Sequence, residues 1–439
     1  MPPRVSRQDQ QRGKIAMEEI DRRLEQVHRL MKVLQAKRED LISIAIKDTG
    51  FTRRECNMEV DTVLSRLRGF DDMADVFADR QPLCGPEEEV ALVLPYNGSA
   101  WLNTAIVSIY LVGNRLRVKF ASRDSEIARF TESLYQPIFG DVIQFDYAEG
   151  RTFLQRAITA PNIPAICLFG SDVHAWQYLQ QVKSYGKKFV FEGPGKDPFI
   201  VLAGADLDAA ARELALSKYL YAGQTCTAPE RVYLEQSIHD EFLEMFLHYS
   251  RTIKLGDPAD PATQMGPVAS ERAITAIKAQ LQDAVARGAR IALGGKIEGN
   301  LVYPTVVVGA TQEMLGMQEE TFGPVSFISS FDTVEQALQL ARDNRYGLRA
   351  AVYGGGEARP LADELVGEPY CHPVEEITFG LFGTVAVNQP RSESWVGAFV
   401  SKAVGGYGLS GWIWETASGE FILKQGPKLL SLETSEAVK

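Results

Sequence analysis

From about residue 88 onward, short apolar runs alternate with stretches of helical periodicity, and no other feature of the chain restricts its fold as much. Val90-Ala91-Leu92-Val93-Leu94, Leu116 to Phe120, Asp141 to Phe145, Ala165 to Phe169, Lys188 to Phe191 and Phe199 to Leu202 read as strands. Ile291 to Leu293, Val325 to Ile328 and Ala350 to Tyr353 read the same way. Helical patterns fill the intervals, from about Asp206 to Tyr221 and near 270–287 and 333–344. Parallel strands need a crossover element between them, so apolar strands separated by helices predict an α/β fold with largely parallel sheets. Gly193-Pro194-Gly195 breaks the pattern just after Glu192, which marks the expected switch between two α/β domains. Ahead of the strands, Ile20, Leu24, Val27, Met31 and Leu34 recur at steps of four and three as one apolar stripe. It continues through Leu41 and Ala45 to a stop at Asp48-Thr49-Gly50. The stripe predicts packed N-terminal helix, with a short coiled coil as the competing reading.

The 439 residues are 45% hydrophobic and 23% charged, a globular balance that argues against disorder. Asp and Glu total 57 against 46 Lys and Arg, so the formal net charge is −11 and the chain has no global attraction to nucleic acid or an anionic membrane. Its most apolar long stretch, Val93 to Val112, is broken by Pro95, Asn97, Gly98 and Asn103, which excludes a membrane span. The first fourteen residues are polar and lack the apolar core of a signal peptide. Five scattered cysteines fit a reducing cytoplasm; neither they nor the five histidines have zinc-ligand spacing, and no metal is expected.

A literal G-x-G-x-x-G occurs at Gly406-Tyr407-Gly408-Leu409-Ser410-Gly411. As a dinucleotide fingerprint it would need a strand before it, a helix after it and an acidic residue about twenty positions on. Trp412-Ile413-Trp414 does not open like a helix, so a Gly-rich turn packed under a neighbouring domain is the expectation.

Cys226 lies in Ala222-Gly223-Gln224-Thr225-Cys226-Thr227, a small, polar turn after a helical pattern. Small neighbours admit a substrate carbon to the sulfur, and backbone N–H groups of such a turn stabilise a thiolate or an oxyanion. A buried core thiol is the plainer alternative. No histidine is near in sequence to act as base. Glu192, between an apolar strand and Gly193-Pro194-Gly195, is the candidate, since a partly desolvated carboxylate shifts toward useful general-base strength. The plainer reading of Glu192 is a cap on the following turn.

Phe191 to Pro198 and, 34 positions after Glu192, the Gly223-Gln224-Thr225-Cys226 string resemble the two signature blocks of the aldehyde dehydrogenase superfamily. Other blocks follow in family order. Pro95-Tyr96-Asn97 resembles the segment whose Asn binds the oxyanion. Gly113 to Lys119 resembles the strand whose Lys meets the adenine ribose, and Phe169-Gly170-Ser171 the turn beside the cofactor phosphates. Gln318 to Val325 resembles the block whose second Glu (Glu320) and Phe (Phe322) hold the nicotinamide ribose and ring. Met265-Gly266-Pro267, Tyr346-Gly347-Leu348, Val387-Asn388 and Gly405-Gly406 with Ser410-Gly411 also fit.

The resemblance, running from about residue 90 to about 425, implies a Rossmann-like cofactor-binding domain over 1–192 with N-terminal helices. A catalytic domain over 193–405 carries the cysteine, and 406–439 returns to the cofactor domain and supplies an oligomerisation strand. It implies oxidation of a small-molecule aldehyde to a carboxylic acid with NAD or NADP. Cys226 would be the nucleophile, Asn97 and the Cys226 backbone N–H the oxyanion donors, and Glu192 the base that activates water. It also implies a homodimer or homotetramer, joined by a strand drawn from Glu420 to Leu432.

This chain departs from the family pattern in places. Phe120 stands where the family has Pro, and Gly193-Pro194 where Leu-Gly is commoner. It is shorter than most members at the N-terminus and before Pro95. Ser122 followed by Arg123 replaces the Glu that grips a ribose 2′-hydroxyl in many NAD-preferring members. A hydroxyl and a guanidinium suit a 2′-phosphate, so NADP is favoured. By analogy the aldehyde tunnel is lined near Trp101, Leu102, Thr225, Thr227 and Glu393-Ser394-Trp395. The competing functions are a CoA-acylating relative, against which Glu192 argues, and a degenerate structural member, against which the presence of Cys226, Asn97 and Glu192 argues.

Overall fold

Two mainly parallel sheets carry the chain, each buried on both faces as crossover helices require. The computed structural model describes residues 16–79, 82–98, 103–366, 370–371, 378–379, 381–390, 407–415, 420–422 and 428–431. Three helices lead: α1 (Met17–Ala36), α2 (Arg38–Thr49) and α3 (Arg53–Gly69). The single predicted stripe is split at Lys37, where the chain turns so that α2 packs on α3. Leu30 is buried beside Met31, which is half-buried and packs against the same core, because the buried face of a packed helix is wider than one row. Ile20, Leu24, Val27 and Leu34 join a core that includes strand residues Val90, Leu116 and Val118, so the stripe serves this chain's own interior rather than a coiled coil. Thr52 and Glu55 form a reciprocal capping box that starts α3.

The first sheet uses β1 (Glu89–Val93), β2 (Arg115–Lys119), β3 (Ile143–Phe145), β4 (Ala165–Phe169) and β5 (Lys188–Glu192), all parallel. Between them run α4 (Asn103–Leu111), α5 (Ser125–Phe139), α6 (Gly150–Thr159) and α7 (Asp172–Ser184). The strand predicted from Asp141 begins only at Ile143, since Gly140–Val142 is a 3-10 turn. The spatial order is β3-β2-β1-β4-β5, so the order reverses between β1 and β4. Clefts for ligands open at such a reversal, outside the carboxyl ends of the strands.

Residues 193–196 cross to a second sheet, made of β6 (Asp197–Val201), β7 (Pro229–Glu235), β8 (Arg290–Leu293), β9 (Thr305–Val308), β10 (Val325–Phe331), β11 (Arg349–Tyr353) and β12 (Thr384–Val387). Helices α8 (Leu207–Tyr219), α9 (His239–Arg251), α10 (Glu271–Ala286), α11 (Val334–Arg342) and α12 (Ala358–Leu365) lie among them. All pairings are parallel except β8 with β9. The chain then returns: β13 (Gly411–Glu415) pairs antiparallel with β5, and β14 (Glu420–Ile422) with β13, at the edge of the first sheet. β15 (Lys428–Ser431) pairs with β12 at the edge of the second. The described part of the G-x-G-x-x-G string, residues 407–411, is thus a turn between short strands, Tyr407–Gly408 and β13, and a strand rather than a helix follows it directly. Among the described residues no helix is long and apolar enough to cross a membrane.

Candidate active site

Cys226 follows α8 through a turn, Leu220–Gly223, in which Tyr221 (φ 54°), Ala222 (φ 53°) and Gly223 (φ 72°) are all left-handed. Such geometry costs about 1–3 kcal/mol per non-glycine residue and persists only where its surroundings hold it. The Tyr221 N–H donates to the Glu55 carboxylate, and its ring packs on Phe51 with centroids 4.6 Å apart. Buried Gln224 pins the next residues: its amide donates to the carbonyls of Tyr221 (2.9 Å) and Pro267 (3.1 Å). Its oxygen accepts from the Ala269 N–H (2.7 Å) and the Tyr96 hydroxyl (3.2 Å). A Cβ on Gly223 would lie 2.2 Å from the Gly323 carbonyl oxygen, so only glycine lets the turn rest on that segment. Cys226 emerges half-buried at a fixed point of a cavity wall.

Glu192 is the last residue of β5 and is buried, flanked in register by Phe169 of β4 and Gly411 of β13. The turn after it is clamped from below. The Gly193 N–H donates to the Ser410 carbonyl (2.9 Å), and the Ser410 hydroxyl donates to the Pro194 carbonyl (2.5 Å) and accepts from the Gly347 N–H (3.0 Å). A Cβ on Gly195 would stand 2.1 Å from the Cys226 carbonyl oxygen. The two segments therefore touch backbone to backbone, which brings Glu192 and Cys226 to one cavity. Asn97, in the 3-10 turn Tyr96–Gly98 after β1, lines that cavity with them.

The cavity has a volume of about 1050 Å³ and continues to the carboxyl ends of β1 and β4, where the strand order reverses. Gly170 and Ser171 line it at the start of α7, and a Cβ on Gly170 would meet nothing. An open backbone beside a helix N-terminus at a switch point fits the diphosphate of a dinucleotide. At the other end, Glu320 and Phe322 line the same space. Their turn is held by buried Glu230, which accepts from the N–H groups of Thr321 (2.8 Å) and Phe322 (2.9 Å) and pairs with Lys196 at 2.7 Å. Phe322 is left-handed (φ 51°), and its ring meets Tyr96 edge-on at 6.0 Å. The Glu320 carboxylate accepts from the Gly195 N–H at 3.2 Å; burial, then the nearby Glu230, push it well above the ordinary carboxyl range.

Of the residues expected at the site, Cys226, Glu192, Asn97, Ser122, Gly170, Ser171, Glu320 and Phe322 line one cavity, and Lys119 and Arg123 do not. Lys119 is buried and turns its ammonium onto the Phe120 carbonyl at 2.5 Å. Arg123 donates to the carbonyls of Ala269 (2.7 Å) and Asp48 (3.4 Å) and stacks over Tyr96. Asp48 lies in the last turn of α2, whose carbonyls have no helical partner and so accept from Arg123. Thr225 and Thr227 line the cavity; Trp101, Leu102 and Glu393-Ser394-Trp395 lie outside the described residues. Residue patterns alone missed Glu59 and Arg66 of α3 and Arg151 of α6, all on the cavity wall, and the anchoring roles of Gln224 and Glu230. The available signal for the first two was their spacing, seven residues on a helix whose buried face is otherwise apolar apart from Glu55.

A model of the aldehyde dehydrogenase family matches residues 6–365. The vanillin dehydrogenase of Pseudomonas fluorescens is 33% identical over 301 residues, which are 67% of this chain and 61% of that relative's length. A succinate-semialdehyde dehydrogenase [NADP(+)] of Deinococcus radiodurans is 28% identical over 386 residues, 83% of this chain and 80% of that one. Among solved structures, an aldehyde dehydrogenase of Brucella melitensis biovar abortus 2308 superposes with a TM-score of 0.78 at 25% identity, covering 89% of this chain and 80% of the other.

Proposed function

The chain belongs to the aldehyde dehydrogenase family, and from that premise we propose that it oxidises an aldehyde to a carboxylic acid with NAD or NADP. The observation that carries the reading is the contact of Gly195 with Cys226, which puts a buried carboxylate and a thiol on one cavity that also reaches a dinucleotide cleft. Gly170, Ser171, Glu320 and Phe322 would hold the dinucleotide, which when bound supplies a hydride acceptor. The Cys226 thiolate adds to the aldehyde carbon, and the former carbonyl oxygen becomes an oxyanion. The Asn97 amide and the Cys226 backbone N–H donate to it, each donor being worth about 3–4 kcal/mol. After loss of hydride the acyl group is a thioester on Cys226. Glu192 takes a proton from water as the water attacks that carbon, and the thiolate leaves with release of the acid.

NADP is the cofactor we favour. Ser122 lines the cavity at a position where a carboxylate would repel a 2′-phosphate, and Arg151 lines the same cavity. The Deinococcus radiodurans relative, named for NADP(+), supports the same choice. We also infer a cytoplasmic homodimer or homotetramer. Cys56, Cys84, Cys167 and Cys226 form no disulfide, and β15 ends the second sheet, where another chain's strand would add. Absorbance of reduced nicotinamide tests the function, over aliphatic, aromatic and acidic aldehydes, each with NAD and with NADP, and with and without CoA. Activity that is independent of CoA, faster with NADP and abolished by Cys226→Ser is the expected result. Aldehyde oxidation retained in Cys226→Ser would remove the nucleophile from this scheme, and strict dependence on CoA would replace water as the acyl acceptor.

A further inference from the structure

We propose that Tyr96 is a positioning residue for the oxyanion site, holding the turn that carries Asn97 in fixed relation to the turn that carries Cys226. The proposal deepens the reading above and rests on the Asn97 amide and the Cys226 backbone N–H being the two oxyanion donors. Those donors come from different sheets, Asn97 from the turn after β1 and Cys226 from the segment between α8 and β7. They converge on one oxygen only if the two turns are fixed against each other. A displacement of about 1 Å costs on the order of a hundredfold in rate.

Tyr96 precedes Asn97 in the 3-10 turn, and its hydroxyl lies 3.2 Å from the side-chain oxygen of Gln224, two residues before Cys226. The direction of that bond is set by Gln224. Its amide nitrogen faces the carbonyls of Tyr221 and Pro267 and its oxygen faces the Ala269 N–H, so the Tyr96 hydroxyl is the donor. Burial pushes that hydroxyl above the ordinary tyrosine range, which keeps its proton in place across neutral pH. The ring is held as well. Arg123 lies over it, 5.0 Å from the centroid, and donates to the Ala269 carbonyl at 2.7 Å. The Ala269 N–H in turn donates to the same Gln224 oxygen at 2.7 Å. Tyr96, Gln224, Ala269 and Arg123 therefore form a closed circuit of contacts beside Asn97. The same ring meets Phe322 at 76°, with centroids 6.0 Å apart. One side chain thus touches the support of the nucleophile and the residue placed at the nicotinamide, and is bonded in the chain to the oxyanion donor.

Tyr96→Phe removes the hydroxyl and leaves the ring against Phe322. It is expected to lower kcat/KM for an aldehyde roughly tenfold, with KM for the dinucleotide and the rate of Cys226 alkylation by iodoacetamide as in the unaltered enzyme. A double-mutant cycle with Asn97→Ala decides the cause, since a residue that acts by placing Asn97 has nothing left to place once that amide is gone. Asn97→Ala alone should lose roughly a hundred- to a thousandfold, and adding Tyr96→Phe should then change little. The proposal is overturned by an unchanged kcat/KM in Tyr96→Phe or by an equal loss in both backgrounds. A parallel fall in alkylation also overturns it, because the hydroxyl would then support the nucleophile alone. Should Tyr96→Phe fail to fold, Arg123→Met frees the ring from its exposed side. A fall in kcat/KM that disappears in the Asn97→Ala background is expected there, and an absent or persistent one overturns the assignment. Full activity in Asn97→Ala would instead remove the oxyanion site itself, the reading on which this one stands.

Discussion

Glu192 ends a buried strand beside the open cavity, and its backbone is fixed on both sides by β4 and β13, so only its side chain is left to meet a substrate water. A general base in this position contributes about 10²–10⁴-fold. Glu192→Gln should therefore let the thioester form but hydrolyse slowly, giving a burst of reduced nicotinamide in stopped flow and a steady state lower by roughly a hundredfold. A variant with no burst and unchanged turnover would exclude the role. The strand end at Glu192 and the small-residue turn at Cys226 were legible from their local strings, because each spans half a dozen residues. The surroundings of Arg123 were not. Its neighbours in sequence suggest a phosphate ligand, whereas the last turn of α2 and the Ala269 carbonyl, far away in the chain, compete successfully for its donors.

At the scale of elements, the segment 319–322 and the turn before Cys226 are held by buried polar networks rather than by regular secondary structure. Glu230, near the start of β7, carries the first of these. It pairs with Lys196 at 2.7 Å, lies 3.9 Å from Lys218 and accepts two backbone N–H groups of the turn. Burial by itself would raise the Glu230 carboxyl, but Lys196, Lys218 and the hydrogen bonds together hold it below its usual range. Its contribution to stability is therefore present above the ordinary carboxyl pKa and is lost as the pH falls through the lowered folded-state value. Glu230→Ala leaves Lys196 buried without that carboxylate, so unfolding by denaturant should show a loss of about 3–5 kcal/mol, and KM for the dinucleotide should rise. A loss under about 1 kcal/mol would mean that Gln280, which accepts from the Thr321 hydroxyl at 2.7 Å, suffices to hold the turn. The runs read from periodicity correspond to helices and strands, but Pro229–Glu235, Thr305–Val308 and Thr384–Val387 of the second sheet and the helix His239–Arg251 were not read from it. The difference at Lys37 arose because an apolar stripe with a spacing of seven from Leu34 to Leu41 reads the same whether one helix continues or two meet at a turn.

For the whole molecule, the return of the chain to the first sheet completes the site, since Ser410 bonds the turn after Glu192 and also Gly347, which precedes β11 of the second sheet. Ser410→Ala leaves the Pro194 carbonyl and the Gly347 N–H without this partner in a buried place, a cost of about 1–3 kcal/mol. Equilibrium unfolding should register it together with a slower hydrolytic step, and an unchanged unfolding curve would show that the Gly193 bond to the Ser410 carbonyl is enough. The sequence by itself determined the alternation of strands and helices and the parallel character of both sheets, and it singled out Cys226, Glu192 and Asn97, which the structure brings to one cavity. Those signals are local: burial sets the period of apolar residues, and a reactive group shows in the size and polarity of its immediate neighbours. Only the tertiary structure decided that Gly195 rests on Cys226, that Lys119 and Arg123 turn away from the cavity, and that Glu59 and Arg66 face it. Each of these depends on which distant backbone carbonyl or cavity wall lies within reach of a long polar side chain, and that is set by how helices and sheets pack, which no short stretch of sequence contains.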